Sequence, residues 1–291
     1  MIDRAPLPPV LRDLFPDGAA ERYSLSAPLP PGRLIVPAGA EGHAPVLWLS
    51  DGPAPVGLWE ELQREHPESG LWPLLLTHPV GDPDFRPWAT GELNPGRVSS
   101  PDPDDPAAVL RALWNSPAVA RPDESQAAAQ RLQMLEPYGQ DWPGLASSPC
   151  PAAEDDPAAE DDPAAAAAAA AVAGWLLRND PDLRIGLVRA DSGADALSAC
   201  GWTGASSHAD TGAISAVLRS WEQRYGARLV EVGLDGLRLS MTVRLDDVDD
   251  ALPVAAEHIA FCPGMVIRGT ESLIDYADEM LMEQCWSFWW N

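Results

Sequence analysis

The chain closes on Cys285-Trp286-Ser287-Phe288-Trp289-Trp290-Asn291, four large aromatic side chains within one short segment. Terminal segments are ordinarily polar and frayed. Burying one aromatic removes ~150–250 Å² from water, a gross gain of about 4–6 kcal/mol at ~25 cal/mol per Å². Such a sum rivals the ~5–15 kcal/mol net stability of a whole domain. The segment is therefore expected to be a core element whose removal abolishes folding. As a final strand, its alternation sends Trp286, Phe288 and Trp290 to one face and Ser287 and Trp289 to the other. Trp289 then falls on a polar side. The expectation is that N-terminal residues cover it; the alternative is an exposed binding surface.

Lysine is absent, so all 19 positively charged residues are arginines. A phosphate-binding P-loop, a pyridoxal-phosphate Schiff base and a protein-kinase site each need a lysine, and all three are excluded. A formal net charge of -25 leaves no basic stripe to neutralise phosphates, so neither nucleic acid nor an anionic membrane surface is expected as a partner. The same charge keeps a chain with 12 Trp dispersed and steers cationic partners toward it. With 46% hydrophobic residues over 291 positions, the chain can bury a substantial core. Cys150, Cys200, Cys262 and Cys285 are widely separated and form no C-x-x-C pair, so neither a disulfide framework nor a ribbon-type zinc site is implied. The opening Met1-Ile2-Asp3-Arg4-Ala5-Pro6 lacks the apolar region of a signal peptide, and the longest apolar run, 163–177, is too short to span a bilayer. A cytoplasmic protein without a cofactor is expected.

The hexad Ala-Ala-Glu-Asp-Asp-Pro occurs at 152–157 and again at 158–163. Proline-punctuated acidic repeats cannot bury enough apolar surface to order themselves, which predicts a solvated linker over 147–162. It divides an N-terminal domain, 1–146, from a C-terminal domain, 163–291. Asp162 suits an N-cap, Pro163 the first helical position and the following alanines a helix over 163–177, docked through Trp175, Leu176 and Leu177. In the N-terminal part, strands at 33–37 and 46–49, a helix at 56–65 and the apolar run Leu71–Leu76 suggest a small α/β layer. Pro-rich loops around Arg86-Pro87-Trp88 and 101–106 lead to helical segments at 107–114 and 126–135.

The C-terminal part begins with a buried strand at 185–189. A helix over 212–225 aligns Ile214, Val217, Leu218, Trp221 and Tyr225 on one face. Asp235-Gly236, between two apolar runs, predicts a two-residue type I′ hairpin turn. That register pairs Leu234 with Leu237, Val232 with Leu239 and Val230 with Met241, and leaves Glu231, Arg238, Ser240, Thr242 and Arg244 on the other face. The helix over 249–261 opens with Asp246, Asp247, Asp249 and Asp250. Capping explains them better than a calcium loop, because Val248 holds a ligand position and no turn glycine is present. Thr270 is expected to cap a last helix over 271–283. The fold class read from this order is α+β: a C-terminal ferredoxin-like (split βαβ) antiparallel sheet with helices on one face, preceded by a smaller α/β domain.

Chemistry concentrates at Glu257, His258 and Cys262. His258 and Cys262 are four residues apart and project from one face of a helix end. One reading is a metal pair completed by Cys285, Asp275 or His208; another is a Cys262 thiolate with His258 as base. Against both, a helix C-terminus raises a thiol pKa, and free cysteine is commonly buried, so packing is the favoured reading. Glu257 and His258 are adjacent and point in different directions. No G-x-S-x-G, G-x-G-x-x-G or H-E-x-x-H string occurs. His208 with Asp210 reads as a polar loop. Arg219, Arg224 and Arg228 read as surface pairs with Glu222 and Glu231 rather than as an anion site.

Three strings, Leu218-Arg219-Ser220-Trp221-Glu222-Gln223-Arg224-Tyr225-Gly226-Ala227, Ala255-Ala256-Glu257-His258-Ile259-Ala260-Phe261-Cys262-Pro263 and Trp286-Ser287-Phe288-Trp289-Trp290, occur in this order. Together they resemble the bacterial family described as domain of unknown function 4253, its actinobacterial members above all, over roughly 183–291. The N-terminal region, with Trp48, Gly70-Leu71-Trp72-Pro73-Leu74-Leu75-Leu76 and Arg86-Pro87-Trp88, is similar to the region that often precedes that domain. The resemblance implies no established activity. It carries departures: Gly264 and Asn291 stand where the family usually has Asp, and Val243-Arg244-Leu245 replaces a Pro pair. If those carboxylates formed a family site, this chain has lost both. The expected function is a non-catalytic binding or protein-interaction module of accessory or immunity type, with Trp202, Arg219 and Trp289 as candidate binding surface and a protein or small molecule as partner. The alternative is a metal-dependent or cysteine hydrolase using Glu257, His258 and Cys262, with His258, Cys262 and Cys285 as ligands if a metal is held.

Overall fold

The computed structural model describes residues 5–39, 44–116, 119, 132–148, 162–264 and 272–290. Seven strands form one mixed sheet. In chain order they are β1 (Gly32–Ile35), β2 (Leu47–Ser50), β3 (Leu71–Leu76), β4 (Arg184–Arg189), β5 (Arg228–Val232), β6 (Gly236–Ser240) and β7 (Cys285–Trp289). The helices are α1 (Leu58–Arg64), α2 (His66–Ser69), α3 (Pro106–Trp114), α4 (Pro163–Asn179), α5 (Gly193–Cys200), α6 (Thr211–Tyr225), α7 (Val248–Phe261) and α8 (Leu273–Met280). Of the expected helix at 126–135, residues 126–131 lie outside the described residues, as does Thr270; Ser272 caps α8 through the Asp275 amide.

The sheet order is β1-β2-β4-β3-β5-β6-β7, antiparallel at every junction except β3–β5. The fold is α+β. The split βαβ arrangement expected for 163–291 is not the one formed, because β3 stands between β4 and β5. The strands of 1–146 interleave with those of 163–291, since β4 lies between β2 and β3. The physical reason is in β3 itself: every residue of Leu-Trp-Pro-Leu-Leu-Leu is buried, and an apolar run with no alternation has to be covered on both faces and both edges. Pro73 cannot donate to a ladder. Pairing with β5 is accordingly confined to Leu75 and Leu76, and the Trp72 indole donates to Leu229 O at 3.2 Å instead.

Helices cover both faces of the sheet, not one. On the first face Leu74, Leu76, Leu229, Val232, Leu237, Leu239, Trp286 and Phe288 pack with residues of α3, α5, α6, α7 and α8. On the second face Trp48, Leu71, Leu75, Ile185, Leu187 and Val230 pack with Leu7, Leu11, Phe15, α1 and α4. Asp162 caps α4 by accepting from Ala164 N, with Pro163 in the first turn as expected. That helix docks through Ala165, Ala169, Val172, Ala173, Leu176 and Leu177, whereas Trp175, expected in the contact, is 49% exposed.

The hairpin turn lies one residue earlier than expected, so the cross-strand partners shift by two, with Val232 facing Leu237 instead of Leu239. Val232 pairs with Leu237, Glu231 with Arg238 and Leu229 with Leu239, with an irregularity between Leu229 and Glu231. Gly233 N donates to Gly236 O at 2.8 Å, so Leu234-Asp235 form the turn, and neither Asp235 nor Gly236 has positive φ. Tertiary contacts override the Asp-Gly preference. Trp202 Nε1 donates to Gly233 O at 2.8 Å and Trp290 N to Asp235 O at 2.8 Å, holding the turn from two sides. The irregularity puts Leu229 and Val232 together in the first core and sends Val230 to the second.

Candidate functional site

Glu257 and His258 of α7 and Cys262 at its C-cap face three destinations. Glu257 is fully buried and accepts four hydrogen bonds. Its Oε1 receives Ala146 N at 2.7 Å and Arg224 at 2.8 Å; its Oε2 receives Trp221 Nε1 at 2.7 Å and Arg224 at 2.6 Å. The bidentate Arg224 fork comes from the last turn of α6, and α6 brings Trp221 to the same carboxylate because the two residues are three apart. Burial alone would lower the Arg224 pKa; the hydrogen bonds and charge of Glu257 outweigh it and raise the value. Arg224 also donates to Ser220 Oγ, Ala146 O and Tyr225 Oη, and burial raises the Tyr225 pKa. A carboxylate with four donors has no lone pair left for a substrate or a metal. Arg224, read as a surface residue, belongs to this buried cluster with Glu257.

His258, one residue on, points elsewhere. Its Nδ1 meets Tyr276 Oη at 2.9 Å, and its ring stands edge-on to Trp221, Trp286 and Phe288 with centroids 5.0, 4.4 and 4.9 Å away. Burial first, and the Arg224 charge second, push its pKa down to about 3, so the imidazole is neutral at pH 7. Its Nε2 and Trp286 Nε1 are both buried without a hydrogen-bond partner among the described residues. Cys262 caps the helix, is fully buried and donates from Sγ to Trp289 O at 3.0 Å. The four-residue spacing therefore does not make His258 and Cys262 a pair, because Cys262 has left helical geometry.

The remaining metal candidates are scattered. Cys285 packs on the second sheet face, and burial raises its thiol pKa to about 11. His208 Nε2 lies 3.0 Å from Ala260 O, its pKa lowered by burial, and Asp275 is engaged by Ser272. Among the described residues no group of three or more His, Cys, Asp or Glu could hold a metal ion. A Cβ on Gly264 would lie 3.6 Å from Trp289 O, and Asn291 is outside the described residues.

The candidate binding surface also divides. Trp202 is fully buried between Gly233 and Trp290, with the Trp290 ring centroid 5.8 Å away, so it is a core residue. Arg219 is partly exposed and bonds Asp195 at 2.6 Å and Asp102 at 2.8 Å, neither of them the partner expected. Trp289 is half-buried on the face it shares with Ser287 and Arg238. Glu231 pairs with Arg238 at 3.0 Å. Glu222 accepts from Ala194 N at the start of α5, and burial pushes its carboxyl up to about 7 against the neighbouring Arg228 charge.

Of one further constellation, sequence reasoning touched only Asp210, read as part of a polar loop. The Pro-rich stretch after Arg86 forms a rim to a cavity of about 630 Å³ lined by Asn94, Arg97, Thr203, Ser206 and Asp210, with Leu93, Val98 and Ala209. Asn94-Pro95-Gly96-Arg97 announces a turn, but nothing local says that it faces 203–211, more than a hundred residues away.

The family model described as Domain of unknown function (DUF4253) matches residues 184–291. A domain of that family thus forms the C-terminal part of the chain, from β4 to the aromatic strand, while β1–β3 of its sheet come from outside the match. No curated protein and no solved structure matches the chain. No helix of the described residues is long and apolar enough to cross a membrane.

Proposed function

We propose that the protein is a non-catalytic interaction module whose contact face is the β6–β7 end of the sheet's second face. The observation that carries this reading is the unequal cover of that face. Over β2, β4, β3 and β5 it is sealed by α1, α4 and the N-terminal turns. At the turn end of β6 and β7 it presents Arg238, Ser287 and Trp289, none of them fully buried, whereas Ser240 at the far end of β6 is covered. On α4, Ala164, Ala168 and Trp175 share one stripe by helical spacing, and the first two line a cavity of about 280 Å³ with Met241, Arg244 and Glu283 of the β6 and β7 flanks. Half-exposed tryptophan and arginine are the residue types that anchor protein interfaces. The charge of -25 favours a partner with a basic surface. The internal use of Glu257, His258 and Cys262 supports the same reading, since it leaves that cluster no free reactive group facing solvent.

A photo-crosslinking side chain placed at 289 is expected to give a discrete protein adduct in cells that the same group at exposed Val80 does not. Identical adduct patterns from the two positions, or none from 289, would refute the proposal. Purified protein carrying stoichiometric zinc or iron that is lost on His258→Ala would refute it from the other side.

A further inference from the structure

The cavity beside α6 is an open groove with two features that bear on ligand binding: its rim is clamped by backbone hydrogen bonds, and its polar lining, of which Asn94, Arg97, Ser206 and Asp210 are exposed to solvent, is little used within the protein. The segment from Gly91 to Ser99 is tied down at three points. Ala38 N donates to Gly91 O at 2.6 Å, Asn94 N to Gly201 O at 2.7 Å, and Ser99 N to Asp210 Oδ1 at 3.1 Å. At each clamp a glycine permits the approach. A Cβ on Gly91 would lie 2.6 Å from Val36 O, one on Gly201 2.2 Å from Pro95 N, and one on Gly212 2.2 Å from Ser99 Oγ. Gly91 and Gly201 also have positive φ, 68° and 74°. A rim fixed this way spends little conformational entropy when a ligand enters.

Against that rigid frame, the side chains of Asn94, Arg97, Thr203 and Ser206 line the cavity and make no hydrogen bond or ion pair within the described residues. The charges are of both signs. Glu92 is neutralised by a two-point ion pair with Arg86. Asp210 spends Oδ1 on Ser99 and on the Gly212 amide, leaving Oδ2 unused. Burial works to raise its pKa, but those hydrogen bonds prevail and lower it, so Asp210 is ionised. Among the described lining residues there remain one uncommitted guanidinium, Arg97, and one half-used carboxylate, Asp210, with the apolar wall of Leu93, Val98 and Ala209.

We propose that this cavity binds a small zwitterion of the α-amino-acid class, its carboxylate on Arg97, its ammonium on Asp210, and its side group against Leu93, Val98 and Ala209. Asn94, Thr203 and Ser206 complete the hydrogen bonds. A pocket with one charge of each sign favours a dipolar ligand, because a simple anion leaves Asp210 facing like charge and a simple cation leaves Arg97 so placed. Among the described residues no aromatic ring lines the cavity, which disfavours a nucleobase or aryl ligand.

The test is calorimetric titration of the full chain with the twenty L-amino acids, acetate and methylamine. At least one amino acid is expected to bind saturably, and at least tenfold more tightly than acetate or methylamine. Arg97 is exposed, so Arg97→Ala folds normally and is expected to weaken that binding at least tenfold. Asp210 caps α6; Asp210→Asn retains a capping acceptor and is expected to remove the preference for the amino acid over acetate. Absence of saturable binding across the panel, equal affinity for acetate, or unchanged affinity in Arg97→Ala would each overturn the proposal. The cross-linking result at 289 is independent of every one of these outcomes.

Discussion

Arg219 and Arg224 sit five residues apart on the same helix and each holds a carboxylate, yet they do different work. Arg224 is 13% exposed and grips a Glu257 that is 0% exposed. Arg219 is 35% exposed and shares itself between Asp195 and Asp102, the latter 75% exposed. Water screens the second constellation and is excluded from the first. A buried ion pair adds little over well-packed apolar residues, but breaking one strands a charge in the core. The lesson is that residue type and helical spacing do not distinguish a stability element from a surface contact; the surrounding layers do.

The sharpest way to break the comparison is to remove each carboxylate or arginine in turn. Glu257→Ala is expected to cost about 3–5 kcal/mol, because Arg224 is left buried and the Trp221 and Ala146 donors lose their acceptor. Urea denaturation of the full chain measures it. A loss below that of Arg219→Ala would mean that the buried cluster is not structural.

A pH series sharpens the same contrast, since the cluster adjoins a buried neutral imidazole. The folded pKa of His258 is pushed from 6.5 down to about 3. The unfolded chain therefore binds the extra proton between those values. Stability from this group is fully present above the unfolded pKa and is lost as pH falls toward the folded one, by up to about 1.4 kcal/mol per pH unit. Glu222 works in the opposite sense. Its carboxyl is raised from 4.5 to about 7, so its contribution is present below 4.5 and lost as pH rises through 7. His258→Phe is expected to flatten the decline in unfolding free energy between pH 6 and pH 4; an unchanged slope would contradict the buried neutral state.

Smaller still, Arg219→Ala should cost under about 1 kcal/mol, and that cost should shrink further in molar salt, as a partly exposed pair does. Least of all is expected from the acidic repeat. Ser148 Oγ donates to Arg224 O at 3.1 Å, and Ala165 Cβ lies 3.8 Å from where a Cβ on Gly226 would stand, so both flanks of the repeat lie beside the C-terminus of α6. Replacing 150–161 by a Gly-Ser run of half the length should change stability by about 0.6 kcal/mol or less. A larger loss in thermal unfolding would assign that repeat a packing role.

Much of the local structure was legible. The run Leu71–Leu76, the helix that Asp162 and Pro163 begin, the Trp221 face of α6 and the alternating tail each follow from spacing or capping within one segment, and each forms with nearly those bounds. Legibility failed wherever partners came from far along the chain. The hairpin turn moved by one residue because Trp202 and Trp290 hold it. Trp202 looked like surface and is core. The grouping of Glu257, His258 and Cys262 dissolved because the partners of each, Arg224, Tyr276 and Trp289, lie on three different elements. The Asn94–Arg97 rim stayed unseen for the converse reason: its residues carry no motif until α6 and the 203–211 segment stand opposite them.

By itself, then, the sequence determined the elements, the lack of lysine chemistry, the acidic surface and the commitment of the aromatic tail to a core. Those are properties of composition and of periods of two and 3.6 residues, which need no partner to be read. Only the tertiary structure decided that β4 enters between β2 and β3, that one arginine of α6 is structural and its neighbour superficial, and that one cavity keeps its polar lining uncommitted. Each of these depends on which distant surfaces exclude water from a given atom, and burial is not a property of any segment taken alone.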